Sequence, residues 1–138
     1  MEGLLVQRMV TGCAEMMLGA INDKTFGQVI VCGSGGVLIE LIADSQCRLY
    51  PVTDRDADEM IANLKGVRLL KGFRGAATAD VAAFRDSVLR ISALVGICPE
   101  IQELDVNPIV VCESGVSALD VRVRVSADHS TALTAGRP

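Results

Sequence analysis

The sequence predicts an α+β fold in which a mostly antiparallel sheet carries two helices packed on one face. Apolar runs of strand length occupy both ends of the chain, and its middle carries two stretches whose apolar residues recur at helical spacing. No repeat and no linker divides the 138 residues, of which 50% are hydrophobic. A chain of this length can bury a core of its own, so we expect one domain.

The amino-acid composition excludes several classes of function and partner. Only 3% of the residues are aromatic, so the core must be built from aliphatic side chains and Met. The net charge of -4 argues against a nucleic-acid partner, which would need a basic surface. Five scattered cysteines without a C-x-x-C pair suggest reduced thiols. With no membrane-length apolar run and no secretory leader, we expect a cytoplasmic protein with no membrane partner.

The first third of the chain reads as strands. Gly3 to Val10, Ala14 to Ile21 and Gln28 to Cys32 are apolar runs that predict an antiparallel meander, with a turn at Asn22-Asp23-Lys24. Gly33-Ser34-Gly35-Gly36 follows. These small residues would allow backbone N–H groups to approach a phosphate closely, but they equally suit a hairpin turn without a ligand.

The pattern then changes from strand to helix. Val37 to Ile42 and Cys47 to Val52 continue the strand pattern, and either Thr53 or Asp54 can cap a helix that ends by Gly66. A change from alternating to helical spacing at this point places the first helix after the strands.

A glycine-rich loop and a longer helix come next. Leu69 to Gly75 predicts a loop that holds Arg74 between two glycines. Asp80 opens a helix over Val81 to Leu94, whose apolar residues form one face. Arg74 suits either a phosphoryl-binding role or an ordinary exposed loop position.

The segment that follows carries candidate metal ligands. Asp105 and Asn107 are two residues apart, so on a strand they point to one face. Glu113-Ser114-Gly115 reads as the turn to a second strand over Val116 to Val125, and an even-numbered loop would bring Asp120 to the same face. Two carboxylates and an amide oxygen suit Mg²⁺. The same residues also suit a hairpin without a ligand, because Asn-Pro often initiates a turn.

The order of several short motifs resembles a known family. They are Val6-Gln7-Arg8-Met9, Gly12-Cys13-Ala14-Glu15, Asp23-Lys24-Thr25-Phe26-Gly27, Gly33-Ser34-Gly35-Gly36 with Glu40, Tyr50-Pro51, Leu70 to Gly75, Glu103 to Pro108 and Leu119-Asp120. Together they resemble the nucleotide-binding ATP-grasp domain of ADP-forming acyl-CoA synthetases and, more distantly, succinyl-CoA synthetase β subunits. The resemblance makes residues 1–125 a C-terminal ATP-grasp subdomain and leaves 126–138 as a polar tail, which we expect to be disordered.

The resemblance also implies site residues and the cofactors ATP or ADP and Mg²⁺. Its magnesium ligands match Asn107 and Asp120, with Asp105 at a neighbouring acidic position. The nucleotide-binding positions that it implies are Gln7 and Met9 beside the adenine, Glu15 near the nucleotide, and Gly33, Gly35 and Gly36 near phosphate or a substrate-bearing partner. Arg74 would stabilise phosphoryl charge. For Glu15, a solvent-facing strand position without a ligand is the alternative.

The family also has parts that this chain lacks. ATP-grasp proteins clamp the nucleotide between two subdomains, and the family reaction passes through a phosphohistidine on another domain or subunit. The sole histidine, His129, lies in the tail, outside the resemblance, and is not assigned that role. We therefore expect the nucleotide–Mg²⁺ part of an acyl-CoA synthetase, inactive alone, whose partners are the N-terminal ATP-grasp half and a CoA-binding, phosphohistidine-bearing domain or subunit.

A function of another class stays open: a non-catalytic module for oligomerisation or protein interaction. A sheet with one uncovered face exposes apolar surface, and such surface tends to mark an interaction site. From the sequence we expect a homo-oligomer built through residues such as Leu5, Met9, Met16 and Leu18.

Overall fold

The chain forms an antiparallel sheet with its helices on one face. A computed structural model describes residues 3–36 and 43–126. Within them the strands are β1 (Ala14–Asp23), β2 (Gly27–Ser34), β3 (Ser45–Leu49), β4 (Ile101–Val111), β5 (Val116–Ala118) and β6 (Val121–Val125). The helices are α1 (Asp54–Ala62), α2 (Val67–Leu70) and α3 (Val81–Ile97), with a 3-10 turn at Phe73–Gly75. The predicted α+β class is confirmed.

The strands run in the spatial order β3-β2-β1-β4, and β5 and β6 pair one after the other with the far side of β4. Every pairing is antiparallel. The ladder on β4 is interrupted at Leu119 and Asp120, which divides the predicted Val116 to Val125 strand into two. β1 lies at the centre, hydrogen-bonded to β2 on one side and to β4 on the other.

Side chains cap both long helices, as the sequence predicted. Thr53 Oγ1 accepts the N–H of Asp56 at 3.2 Å, and the Asp56 carboxylate accepts the N–H of Thr53 at 2.8 Å, which is a capping box for α1. Asp80 caps α3 by accepting the N–H of Ala83 at 2.9 Å and also accepts the N–H of Gly115 at 2.8 Å. The bonds from Gly115 and then Ala83 lower the pKa of Asp80. Asp80 thereby joins the start of α3 to the β4–β5 turn.

The core lies between the helices and one face of the sheet. Alternate residues of the central strands point into it, and α3 covers them with Phe84 and Val88, which are 0% exposed. The apolar strand residues of this core are Ala14, Met16, Leu18, Ala20, Ile30, Cys32, Ile101, Leu104, Val106, Ile109 and Val111. The sheet is therefore apolar on one face, as period-two alternation requires.

A bulge in β4 shifts this alternation. Met16 lies opposite Ile109 and Leu18 opposite Val106, so two steps along β1 match three along β4. The extra residue falls at Asn107-Pro108, whose peptide bond is cis. The reading of Asn107-Pro108 as a turn initiator was wrong, because the pair lies inside β4 and the turn comes later, at residues 112–115.

The predicted first strand over Gly3 to Val10 is also wrong. Residues 3–12 form no strand, and four of their apolar side chains are almost fully exposed, at 89% for Leu4, 88% for Leu5, 91% for Val6 and 87% for Met9. Within the described part of the chain no strand lies beside this arm to accept its hydrogen bonds. Strand-like composition alone does not make a strand without a neighbour.

Other boundaries differ by a few residues. β3 ends at Leu49 instead of Val52, because Pro51 has no N–H to donate to a ladder. Gly66 is followed by the short α2, so the predicted loop over 69–75 is partly helical. α3 continues through Gly96 to Ile97. The predicted Val37 to Ile42 strand and residues 127–138 lie outside the described residues.

Part of the predicted association surface is wrong as well. Met16 is 0% exposed and Leu18 is 1% exposed, because both point into the core under α3. They cannot contact a second chain.

All five cysteines are free; Cys32 is buried and Cys47 is exposed. Burial raises the pKa of the Cys32 thiol to about 12. No helix among the described residues is long and apolar enough to cross a membrane.

We expect Met16→Ala to lower the free energy of unfolding by about 2–5 kcal/mol, because it leaves a cavity among well-packed side chains. Met9→Ala is the matched control. Since Met9 is 87% exposed, that change should cost less than about 0.5 kcal/mol. Urea denaturation followed by far-ultraviolet circular dichroism measures both, and equal losses would contradict the assignment of core and arm.

Candidate nucleotide and metal site

The sheet face that points away from the helices, the open face, is divided into two halves. The half formed by β4 and β6 is charged or polar and carries Glu103, Asp105, Asn107, Asp120, Arg122 and Arg124. The half formed by β1, β2 and β3 is mainly apolar, with Ile21, Val29, Val31, Cys47 and Leu49 in register with one another. The apolar half can contact a planar ring, and the charged half, with three carboxylates and two arginines, can attract a cation.

The three predicted metal ligands lie together on the charged half. Leu104 and Val106 are buried, so Asp105 faces the open side. The N–H of Asn107 donates to the carbonyl of Asp120 at 3.1 Å, which brings these two residues side by side. Asp120 contacts Arg122 at 3.5 Å, and Arg122 lies directly opposite Asp105 across the β4–β6 ladder. We call Asp105, Asn107 and Asp120 the oxygen-ligand cluster.

The donor chemistry of this cluster fits Mg²⁺. Two carboxylates and an amide supply hard oxygen atoms, which Mg²⁺ prefers. Among residues 3–36 and 43–126, no three His, Cys, Asp or Glu side chains are grouped closely enough to hold a metal by themselves. The cluster is therefore not a closed protein cage. A cation held there would take its remaining ligands from water or from phosphate oxygens, which is the usual arrangement for Mg²⁺.

The glycine-rich segment at the end of β2 crosses the neighbouring part of β1. The N–H of Gly35 donates to the carbonyl of Glu15 at 2.8 Å, and a Cβ on Gly35 would lie within 2.6–2.8 Å of the Met16 main chain. Gly36 has φ 74°, and a Cβ there would fall 2.6 Å from Glu15 Oε2. Only glycine allows this approach. The structure thus brings Glu15 together with Gly35 and Gly36, whereas Gly33 belongs to β2.

A buried carboxylate holds the start of this segment. Asp44 is 6% exposed; its Oδ2 accepts Ser34 Oγ–H at 2.6 Å and the N–H of Gly66 at 2.7 Å, and its Oδ1 accepts the N–H of Lys65 at 2.7 Å. Burial works to raise the pKa of Asp44, but the bonds from Ser34, Gly66 and Lys65 together lower it below 3.8. Asp44 therefore ties the end of β2 to the turn after α1.

The remaining predicted site residues are not joined to this cluster. Gln7 and Met9 belong to the exposed arm, where Met9 lines a depression of about 260 Å³ together with Cys112 and Ser117. Arg74 is exposed in the 3-10 turn with φ 56°, in the left-handed region. The segment after it helps to line a separate cleft of about 500 Å³, which also includes Thr11 and Cys112.

Sequence reasoning missed two residues that belong to the site, Asp44 and Arg122. Asp44 lies between two predicted strand runs, and nothing in a single sequence links it to Ser34 or Gly66. The position of Arg122 on the open face could have been predicted from the sequence. The alternation Val121-Arg122-Val123 predicts a strand with charge on one face, and that face is the one shared with Asp120.

Comparison with known proteins identifies the family. A family model for the ATP-grasp domain matches residues 1–125. The chain belongs to the ATP-grasp family. This agrees with the antiparallel sheet and with the helices on one face.

The relatives narrow the class further. The chain is 43% identical over 122 residues to acetate–CoA ligase [ADP-forming] I of Archaeoglobus fulgidus, covering 88% of this chain and 18% of the relative. It is 35% identical over 121 residues to the β subunit of acetate–CoA ligase [ADP-forming] I of Pyrococcus furiosus, covering 88% of this chain and 52% of that subunit. The chain thus spans about half, or less, of these relatives.

A solved structure shows the same fold. The dinucleotide-forming acetyl-coenzyme A synthetase 1 of Candidatus Korarchaeum cryptofilum, in complex with coenzyme A and Mg-AMPPCP, superposes with a TM-score of 0.79 at 34% identity. The match covers 86% of this chain and 55% of the other. The predicted fold and the predicted family are therefore confirmed.

We expect Asp44→Asn to lower the free energy of unfolding by about 1–3 kcal/mol at pH 7, because Asn replaces one acceptor oxygen with an N–H donor that faces other donors. The pKa of Asp44 is depressed in the folded state, so its stabilisation is complete above the unfolded pKa and is lost as pH falls through the folded value. The gap between wild type and Asp44→Asn should therefore narrow below about pH 4.

Urea denaturation from pH 7 to pH 3 measures that gap. Asp86→Asn is a suitable control, since Asp86 is an exposed carboxylate that pairs with Arg90 along α3. A gap between wild type and Asp44→Asn that stays constant with pH would contradict a titrating role for Asp44.

Proposed function

We propose that this chain is the nucleotide- and Mg²⁺-binding subdomain of a cytoplasmic ADP-forming acyl-CoA synthetase. The observation that carries the proposal is the placement of Asp105, Asn107 and Asp120 on the open face, with the glycine-rich segment crossing β1 at Glu15. The whole enzyme would convert acyl-CoA, ADP and phosphate to free acid, CoA and ATP by phosphoryl transfer. Family membership and the names of the relatives support this reading.

Each part of the open face has a role in the proposal. Asp105, Asn107 and Asp120 hold the cation, and a bound Mg²⁺ would supply neutralisation of phosphate charge during transfer. The glycine-rich segment with Gly33, Gly35 and Gly36 approaches the phosphates or the substrate-bearing partner, because residues without side chains permit close approach. Ile21, Val29 and Val31 offer an apolar surface for the base. Glu15, Gln7, Met9 and Arg74 complete the proposed site, Arg74 as the phosphoryl-stabilising cation.

The proposed partners are the other parts of the synthetase. They are the N-terminal ATP-grasp half and a domain or subunit that binds CoA and carries the phosphohistidine. In the Korarchaeum enzyme, the described complex has a phosphohistidine segment pointing towards the nucleotide-binding site. Because this chain alone offers one side of a clamp, we do not expect it to catalyse the full reaction.

We predict that Mg²⁺ and ADP bind to this chain with positive coupling, since the phosphates complete the ligand set of the cation. Isothermal titration calorimetry with ADP, with and without Mg²⁺, measures the coupling. Asp120→Ala should weaken Mg²⁺-dependent ADP binding about tenfold or more, because even outer-shell partners of metal ligands contribute about 10–100-fold.

Glu103→Ala is the matched control for that experiment. Glu103 is a carboxylate on the same face, in β4, but it pairs with Arg124 at 3.3 Å and lies outside the oxygen-ligand cluster. Its removal should leave the coupling nearly intact. If wild type and Asp120→Ala give the same weak heats, the metal site does not exist as proposed.

A second candidate function is self-association, favoured by the exposed apolar side chains of the arm. Leu5 and Met9 are 88% and 87% exposed, and contact with a second chain would bury them. We expect light scattering at micromolar concentration to give a dimer or larger species, and Leu5→Asp with Met9→Asp to give a monomer. A wild-type mass of 14.6 kDa would contradict this.

A further inference from the structure

A cation of the protein already lies at the oxygen-ligand cluster. Arg122 Nε is 3.5 Å from Asp120 Oδ2, and the Arg122 side chain is 80% exposed. Arg122 is also the residue directly opposite Asp105 on the open face. The guanidinium thus contacts the Asp120 carboxylate, where it neutralises part of its charge, and it belongs to the residue paired with Asp105 across the ladder.

A divalent cation and this guanidinium cannot both occupy the position. Each uses the same carboxylate oxygens, and close approach of two positive groups is unfavourable. The Arg122 contact is weak, because exposed ion pairs contribute little and both side chains are largely in solvent. A metal can therefore displace the guanidinium, but at a cost that lowers its apparent affinity.

We propose that Arg122 is the resident counter-cation of the oxygen-ligand cluster and competes with a divalent metal for the Asp120 carboxylate. This inference rests on the proposed function for the identity of the metal site. It assigns to Arg122 a positioning role in which the residue tunes metal affinity through that carboxylate, without ligating the metal.

The competition has a consequence for the order of binding. When a nucleoside diphosphate is present, its phosphate oxygens give the displaced guanidinium another anionic partner, in the geometry that Arg binds well. The cost of displacement then falls. Arg122 would thus suppress occupation of the cluster by metal alone and favour the arrival of metal together with nucleotide.

The adjacent Arg124 provides a matched control. It lies two residues further along β6, on the same face, and pairs with Glu103 at 3.3 Å. Removing the Arg124 charge changes the net charge of the face by the same amount as removing the Arg122 charge. Of these two arginines, Arg122 is the one that contacts a member of the oxygen-ligand cluster by ion pair.

The test uses Mn²⁺ alone, followed by the loss of the free-ion electron paramagnetic resonance signal in 0.15 M salt. Arg122→Gln should bind Mn²⁺ about two- to fivefold more tightly than wild type, the fold-change equivalent to losing one exposed ion pair. Arg124→Gln should show a clearly smaller change, and Arg122→Lys should stay near wild type because it keeps the charge. Repeating the titration with saturating ADP should show less ADP-induced tightening in Arg122→Gln than in wild type.

Three results would overturn the inference: no tighter Mn²⁺ binding by Arg122→Gln than by wild type, equal gains for Arg122→Gln and Arg124→Gln, or no Mn²⁺ binding by any variant. Failure of the proposed function looks different. If ADP binds to none of the proteins while Arg122→Gln still gains Mn²⁺ affinity, the competition stands and nucleotide binding is what fails. Urea midpoints for each variant confirm that the fold is retained.

Discussion

The antiparallel pairing of β1 with β4 is the constraint on which the rest of the structure depends. It places Leu18 beside Val106 and Ala20 beside Leu104, so that one set of alternate residues meets α3 and the other set faces outward. Burial of the first set is favourable at about 25 cal/mol per Å² of apolar surface, and this fixes the register strongly. The outward position of Asp105 follows from the same register. Core packing and site geometry are therefore consequences of one ladder.

Several features could be predicted from the sequence because they depend on local chemistry. The caps at Thr53 and Asp80 need only a side-chain oxygen beside the first turn of a helix, and the shared face of Asp105 and Asn107 needs only strand periodicity. The sequence predictions failed at positions whose structure depends on contacts with residues distant in the sequence. The segment around Val6 has strand composition but no neighbour, and Asp44 gains its role from Gly66, 22 residues away in sequence.

The ion pairs on the helical side of the sheet and those on the open face have different surroundings. On the helical side, Arg85 pairs with Asp58 and with Asp54 at 2.9 Å, which joins α3 to α1 at the surface of the packed layer. On the open face, the pairs of Arg122 and Arg124 lie on an edge strand with nothing packed over them among the described residues. Ion pairs of the first kind add to tertiary packing, whereas those of the second kind can exchange partners at little cost.

The bulge at Asn107-Pro108 has a consequence for how this segment can change during evolution. It reverses the alternation of β4, so that Val106 and Ile109 both reach the core although they are three residues apart. Deleting or inserting one residue between Leu104 and Val111 would turn either the aliphatic side chains or the oxygen donors to the wrong side. Substitutions of similar polarity preserve this arrangement. The segment is thus free to vary in composition within each face, but its length is fixed.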